Sequence, residues 1–309
     1  MSVGKVISQL PSAGLGNKLF SWALGALIAN KSHKKHAIYG LTRFHIGVWL
    51  RREKSSRFYR GYFKNEKRFS SYRESVRDYT INLSNNNKAD YGSIISDAIG
   101  YKGNVVVKGM PHWSDLFGSI RENREEVVKL FWSDLDTQIK QEVDRYVLPV
   151  FSVHIRMGDF RKLAKNEDFK NVGAVRTPLD YFIDIITFIR KELESDIPFT
   201  IFSDGSDKEL EPVLALKNVR RASDARDIVH LAAMSKSKLI ITSAGSTFSY
   251  WSAFLSSAIV INHFQHIHTP IRNNSINEQV FEGGVDVNSS YVPQSLSQSL
   301  AVLKKELTN

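Results

Sequence analysis

One stretch near the middle of the chain gathers groups that can hold an anion: His154, Arg156, Gly158 and Asp159. Arginine offers a planar, permanently charged fork that matches phosphate. The glycine lets the backbone turn sharply and approach a ligand. Arg156 is the candidate counter-charge for a phosphate group, with a structural ion pair to Asp159 as the plainer alternative. Asp159 is weak as a general base beside that guanidinium, so it reads as support for Arg156 or its loop. Two similar groups follow further on: Ser203-Asp204-Gly205, and Ser243-Ala244-Gly245-Ser246-Thr247 with Phe248 behind it. A glycine-rich turn, Gly14-Leu15-Gly16-Asn17, stands near the N-terminus. His112 and Asp115 are further candidates for a base, unranked by the sequence.

Each of these groups falls at the end of an apolar run. Val150, Phe151, Val153 and Ile155 predict a buried strand whose tip is the Arg156 stretch. Phe199–Phe202 and Lys238–Thr242 predict the strands that end in the other two groups. Ala258–Asn262 predicts one more. Helices are expected from Pro178, at the first helical position, through an apolar face of Tyr181, Phe182, Ile185, Ile186, Phe188 and Ile189; over Asp207–Leu216; opened by Asp224-Ala225-Arg226-Asp227; and over Phe248–Ser256. Strand and helix in alternation imply an α/β chain with a doubly wound parallel sheet. In such sheets ligands bind at the carboxyl ends of strands, where all three polar groups lie.

The first half is less regular. Val3–Leu10 reads as a strand, and Lys18–Asn30 as a helix with Asn17 as its N-cap. The turn between them can cradle an anion on its amides or be a tight turn without a ligand. It lacks a third glycine, with Leu19 in that place. Residues 40 to 100 are basic and aromatic (Phe44, Trp49, Phe58, Tyr59, Tyr62, Phe63, Phe69, Tyr72), which suits an irregular core better than carbohydrate stacking. Asn85–Lys88 reads as a turn. Val105–Val107 is a strand, and Ile120–Tyr146 a helix broken near Ser133, which would cap the second segment. The domain boundary is expected at 1–147 and 148–309. The last helix, Pro293–Leu307, could pack on either domain.

Composition removes several classes of function. There are 309 residues and no cysteine, so disulfides, thiolate metal sites and cysteine nucleophiles are excluded. No apolar run reaches the roughly 18 residues of a membrane span, and the first residues lack the apolar core of a signal peptide. A cytoplasmic location is expected, with peripheral association at the inner face of an acidic membrane left open. The formal charge of +10 favours anionic partners, and Lys31–His36 and Arg51–Arg60 concentrate it in the first third. A solvated face explains these runs most simply. No nucleic-acid motif accompanies them. Asp134 and Asp136 imitate a metal-binding D-x-D but fall in a helical pattern. His263, His266 and His268 have metal-ligand side chains but fit a surface loop or acceptor contacts better. No metal is expected. Ser246 is not in a G-x-S-x-G elbow, which argues against a hydrolase.

Taken together, the motifs resemble those of the α-1,2-fucosyltransferases, the inverting, GDP-fucose-dependent glycosyltransferases of family 11 type. Gly14-Leu15-Gly16-Asn17-Lys18-Leu19-Phe20 resembles G-L-G-N-Q-[ML]-F, and His154-Ile155-Arg156-Met157-Gly158-Asp159 resembles H-[VI]-R-R-G-D. Thr177-Pro178-Leu179-Asp180-Tyr181 and Phe202-Ser203-Asp204 stand where that family has similar segments. Asp227 to Trp251 resembles D-[FL]-x-L-M-x-x-C-x-x-x-I-x-x-N-S-[ST]-F-S-W-W. The motifs come in family order along nearly the whole chain. The departures are Lys18 for Gln, Met157 for Arg, Met234 for Cys, Gly245 for Asn and Tyr250 for Trp; the Asp227–Phe248 stretch is also a few residues longer.

The resemblance implies a GT-B-like fold of two Rossmann-like domains with a donor cleft between them, an acceptor-side first domain and a sugar-nucleotide-binding second domain. It implies inverting transfer of L-fucose from GDP-fucose to a glycan hydroxyl, in α-1,2 linkage, in surface polysaccharide synthesis such as O-antigen. No cofactor or metal is then needed, and the partners are the nucleotide sugar and the glycan, with no nucleic acid. On this reading His154, Arg156 and Asp159 are the catalytic candidates. Gly14, Gly16, Asn17, Asp204, Asp227, Ser246, Thr247 and Phe248 bind the donor. Asp204 and Asp227 would touch guanine or ribose, or serve only as a strand-end turn and a helix cap; Tyr250 and Trp251 fit a core better than a sugar platform. Two alternatives stand beside this: the same fold with another nucleoside-diphosphate deoxysugar, and a non-catalytic binder of nucleotides or polyanions.

Overall fold

The computed structural model describes residues 4–42, 58–67, 69, 71–85, 90–164, 167, 174–266, 268–289 and 292–308. Phe44, Trp49, the basic run 51–57 and most of the 85–88 turn lie outside the described residues. The chain forms two compact units, Met1–Arg145 and Tyr146–Asn309. Each is an α/β unit built on a parallel sheet.

The first unit runs β1 (Val6–Gln9), α1 (Leu15–Ser32), β2 (His36–Tyr39), β3 (Tyr79–Asn82), α2 (Tyr91–Gly100), β4 (Val105–Lys108), α3 (Arg124–Asp134) and α4 (Thr137–Arg145). Its strands lie in the order β2-β1-β4-β3, all parallel. Helix α1 is apolar on nearly every side and is buried along most of its length, as a helix enclosed by a core must be. Tyr59, Tyr62 and Phe63 are buried; Phe63 stacks on Trp22 of α1 with ring centroids 5.1 Å apart. Tyr59, Tyr62 and Phe63 therefore serve as core, whereas Phe58 and Phe69 are exposed.

Three expectations for this unit need correction. Helix α1 starts at Leu15 with Gly14 at its N-cap, so Asn17 lies inside the helix and not at its N-cap. The break in the long helix falls near Ser133, at Leu135 and Asp136, but Ser133 does not cap the second segment. Asp136 supplies the new start, its carboxylate accepting from Gln138 N at 2.9 Å. Part of the Lys31–His36 run is structural: Lys34 Nζ donates to the carbonyls of Tyr101 and Gly103, and His36 Nε2 bonds Ser8 Oγ at 2.8 Å.

The second unit runs β5 (Phe151–Ile155), α5 (Leu179–Leu193), β6 (Phe199–Ser203), α6 (Asp207–Leu214), β7 (Val219–Arg221), α7 (Asp227–Met234), β8 (Leu239–Ile241), α8 (Thr247–Leu255), β9 (Ile259–His263), α9 (Asn274–Asn277), β10 (Glu282–Val285) and α10 (Gln294–Thr308). The sheet order is β10-β9-β8-β5-β6-β7, all parallel. Counted within the unit, that is the 3-2-1-4-5-6 order of the Rossmann sheet. Every residue of β5 is buried, as expected of a central strand covered on both faces. Pro178 proves to be the N-cap of α5, one position before the helix. Helix α10 packs in this unit, burying Leu296, Leu300 and Leu303 in the core that holds α5. At the β10 edge, Arg272 and Glu282 form a fully buried ion pair at 2.9 Å. Arg272 also donates to the carbonyls of Ala258 and Phe281, so its guanidinium is well satisfied.

Candidate active site

In the Rossmann order the chain reverses direction between the first and fourth strands, and ligands bind in the crevice at their carboxyl ends. Here those strands are β5 and β8. Their backbone pairing stops at Val153 opposite Ile241, and beyond it a side chain takes over. Ser243 Oγ accepts from Arg156 N at 2.8 Å and donates to the His154 carbonyl at 2.8 Å. The hydroxyl thus extends the ladder one step past the point where the strands part, and Ser243 is almost wholly buried.

Arg156 projects from that joint. Its guanidinium pairs with Asp204 through Nη1 and with Asp159 through Nη2, the latter at 2.6 Å. It also lies over the ring of Phe160, 5.5 Å from the centroid. Asp204 is fixed in turn, because its Oδ1 accepts from Met157 N at 2.8 Å. Gly158 makes this possible: a Cβ there would come within 2.2 Å of Asp204 Oδ2. Arg176 braces the loop by donating to the Phe160 carbonyl at 2.7 Å.

The other wall is the loop from β8 into α8. Ala244 N donates to Thr177 Oγ1 at 3.0 Å, which gives the Thr177-Pro178 motif a structural task. Gly245 has φ +70°, in the left-handed region that favours glycine. Ser246 is the N-cap of α8, and its side chain makes no capping hydrogen bond. A helix start carries partial positive charge.

His154 belongs to this site by packing. It is buried on β5 with its ring 5.2 Å from that of Phe248. Burial, helped by the charge on Arg156, pushes it down to about 3, so it is neutral at physiological pH. Asp227 stands in the first turn of α7, where a carboxylate is favoured by the helix dipole. Met157 is buried in the core of the second unit, so the Arg-to-Met departure changes packing. In the first unit, the Gly14 turn does not leave all its amides available: Leu15 N donates to the Tyr59 hydroxyl at 3.0 Å. Space beside Gly14 is open, with nothing within 4 Å of a Cβ built there. Lys18 is fully buried and ties the turn together, donating to the carbonyls of Pro11 at 2.7 Å and Gly40 at 2.8 Å. Of the base candidates in that unit, Asp115 pairs with Arg121, and His112 Nδ1 bonds Ser114 Oγ at 2.7 Å. Among the described residues, no three His, Cys, Asp or Glu side chains are grouped to hold a metal ion.

The structure brings together Arg156, Asp159, Asp204 and the start of α8, each assigned to the site from the sequence. Ser243, Thr177, Phe160 and Arg176 were not so assigned, although Ser243 and Thr177 lie in motifs already singled out. The signal that could have found Ser243 is its place just past the strand next to Arg156.

The profile of a glycosyltransferase family matches residues 118–275, about half of the chain. The chain belongs to that family, glycosyl transferase family 11, the fucosyltransferase family its motifs resemble, and it is a glycosyltransferase. No curated protein matches it in sequence. Among solved structures it is similar to fucosyltransferase NodZ from Bradyrhizobium, with 11% identity and a TM-score of 0.49, over 87% of this chain and 100% of that one. It is similar also to Arabidopsis thaliana FUT1 in complex with GDP, with 12% identity and a TM-score of 0.47, over 86% of this chain and 72% of that one. POFUT1 in complex with GDP-fucose gives 10% identity and a TM-score of 0.44, over 83% and 94%.

Proposed function

We propose that this glycosyltransferase transfers L-fucose from GDP-fucose to a glycan hydroxyl, in α-1,2 linkage, with inversion at the anomeric carbon and without a metal. The observation that carries the reading is the placing of Arg156. It is held at the reversal point of a Rossmann sheet, beside the start of α8, in a chain of family 11. In the reaction an acceptor hydroxyl loses its proton to a base or to solvent as its oxygen bonds to the anomeric carbon, and the bond to the diphosphate breaks with its electron pair going to the phosphate. Negative charge grows on the departing phosphate. A fixed guanidinium and a helix start, aimed beforehand, stabilise that charge without reorganising. Asp159 and Asp204 engage two N–H donors of the guanidinium and leave three of its five for phosphate oxygens. His154 backs the site as a neutral ring, Ser246, Thr247 and Phe248 present the helix start, and Asp227 is the candidate for guanine or ribose.

Acceptor-dependent release of GDP from GDP-fucose, undiminished by EDTA, is the expected result, with a product whose anomeric configuration by NMR is inverted relative to the donor. Loss of turnover in EDTA, or retention of configuration, would overturn the reading. The charge of +10 suits an acceptor presented at an acidic membrane surface, as in surface polysaccharide synthesis. Binding to anionic vesicles that weakens as salt is raised checks this. A second reading changes only the transferred sugar, and the Gly245 and Tyr250 departures beside the site favour it. Thermal shifts with a panel of GDP- and TDP-sugars separate the two.

A further inference from the structure

Gly245 faces space bounded by two side chains. A Cβ built on it would lie 3.6 Å from His266 Nε2 and 3.9 Å from Phe160 Cε2. Phe160 carries the Arg156 guanidinium on its ring, so this space adjoins the group assigned to the diphosphate. His266 reaches it from the loop after β9, where its ring is held by Tyr250. The Tyr250 hydroxyl is buried; it accepts from Gly245 N at 2.9 Å and lies 3.1 Å from His266 Nδ1. The phenol oxygen keeps a second lone pair, so the hydroxyl donates to Nδ1 in one imidazole tautomer and accepts from it in the other. Nε2 is then a donor in the first tautomer and an acceptor in the second, and a sugar hydroxyl can bond either. Nε2 makes no hydrogen bond to another described residue.

Two departures from the family pattern meet here and are one change. With Asn at 245, a side chain would enter the space that His266 now borders. With Trp at 250, the indole could not accept the Gly245 N–H, since it has no acceptor. Gly245 and Tyr250 together leave the space open and aim a histidine at it. We propose that His266 hydrogen-bonds a hydroxyl of the transferred sugar, and that with Tyr250 it determines which sugar this enzyme accepts. Burial, with a smaller push from His268, holds His266 at about 4, so at neutral pH the ring is uncharged. An uncharged ring nitrogen beside an aromatic edge suits a pyranose hydroxyl, whereas the diphosphate already has Arg156. The inference rests on the reading that the sugar nucleotide binds at this crevice.

The test uses the full chain and three variants: His266→Phe, His266→Gln and Tyr250→Phe. Affinity for GDP and for GDP-fucose is measured by calorimetry, with kcat and KM alongside. His266→Phe should leave GDP affinity within about two-fold and weaken GDP-fucose about ten-fold, the scale of one neutral hydrogen bond with its partner left unpaired. His266→Gln, whose amide can donate or accept in place of Nε2, should recover most of the loss. Tyr250→Phe should fall between and should narrow the preference for GDP-fucose over other GDP-sugars. Equal weakening of GDP and GDP-fucose would place His266 on the diphosphate, and no weakening would remove it from the site; either overturns the proposal. If wild type neither binds nor turns over GDP-fucose, the donor reading falls by itself. The same split between GDP or TDP and the sugar nucleotide that does bind then decides the role of His266.

Discussion

Removing the Ser243 hydroxyl tests whether the crevice is held open by one side chain. In Ser243→Ala, two backbone groups lose their partner, the His154 carbonyl and the Arg156 amide. Each lost bond is worth about 1 kcal/mol net, and a buried group left unpaired costs about 1–3 kcal/mol. Water can reach Arg156, which is partly exposed, more easily than His154, which is buried. The full penalty therefore falls mainly on the carbonyl, and the sum comes to about 2–4 kcal/mol. For a unit of this size, that lowers Tm by roughly 5–15 °C. Activity should fall further than stability accounts for, because the Arg156 amide fixes where its guanidinium starts. A drop of about ten-fold or more in kcat/KM is expected at a temperature where the variant is fully folded. Thermal melts by circular dichroism and initial rates with GDP-fucose measure the two effects. Ser243→Thr, which keeps the hydroxyl, should retain most of both. If Ser243→Ala melted within a degree of wild type, the hydroxyl would not bridge the strands, and the argument from it would fail.

Arg156→Ala should cost on the order of 3 kcal/mol in transition-state stabilisation, and Arg156→Lys should also be poor, because a point charge cannot replace a fork held by two carboxylates; near-normal rates in either would remove Arg156 from the mechanism. Gly158→Ala drives a methyl to 2.2 Å from Asp204 Oδ2, so it should destabilise the loop by about 1–3 kcal/mol and reduce turnover, seen as a lower Tm and kcat/KM. His154 gives a pH dependence with a definite sign. Its folded value, about 3, lies below its ordinary 6.5, so the unfolded chain binds more protons between those values. Its contribution is complete above 6.5 and is lost as pH falls toward 3, by about 2 kcal/mol at pH 5. Urea melts from pH 7 to 5 should show this decline, and His154→Phe should reduce its slope.

The second unit was legible because its signals are local. Apolar runs such as Phe151–Ile155 and Phe199–Ser203 are bounded by polar strand ends, and buried parallel strands produce that pattern. The short strands β2, β3, β7 and β10 gave no such signal. Val219–Arg221 of β7 has one apolar residue in three, and Glu282–Val285 of β10 has two glycines. Their pairing comes from the neighbouring strand. Caps were read less well than helices. Asn17 has the right type for a cap, but Tyr59, 44 residues away, binds the first amide of α1. Ser133 has the right type too, yet its hydroxyl donates back to the Leu130 carbonyl, and Asp136 does the capping. In the site, charged partners close in sequence could be paired by eye, as Arg156 with Asp159. Asp204, 48 residues on, required the sheet order, since only adjacency of β5 and β6 brings its carboxylate to Arg156.

The five departures from the family pattern now divide by location, and the division bears on specificity. Met157 and Met234 are buried among apolar side chains, where a flexible thioether fills space. Lys18 is buried too, but its ammonium is satisfied by two carbonyls of its own unit, so it braces the Gly14 turn where glutamine would offer a shorter, neutral amide. None of these three changes the groups assigned to the diphosphate. Gly245 and Tyr250 are different, because a hydrogen bond joins them to each other and a second leads to His266. Substitutions that are scattered in sequence but bonded in space are expected to act as one. The double variant Gly245→Asn with Tyr250→Trp should therefore recover sugar-nucleotide affinity that either single change loses. A coupling energy near zero between the two positions, measured from GDP-fucose affinities across the cycle, would mean that the pair is two independent changes and that the sugar-facing side of this crevice is not organised around His266.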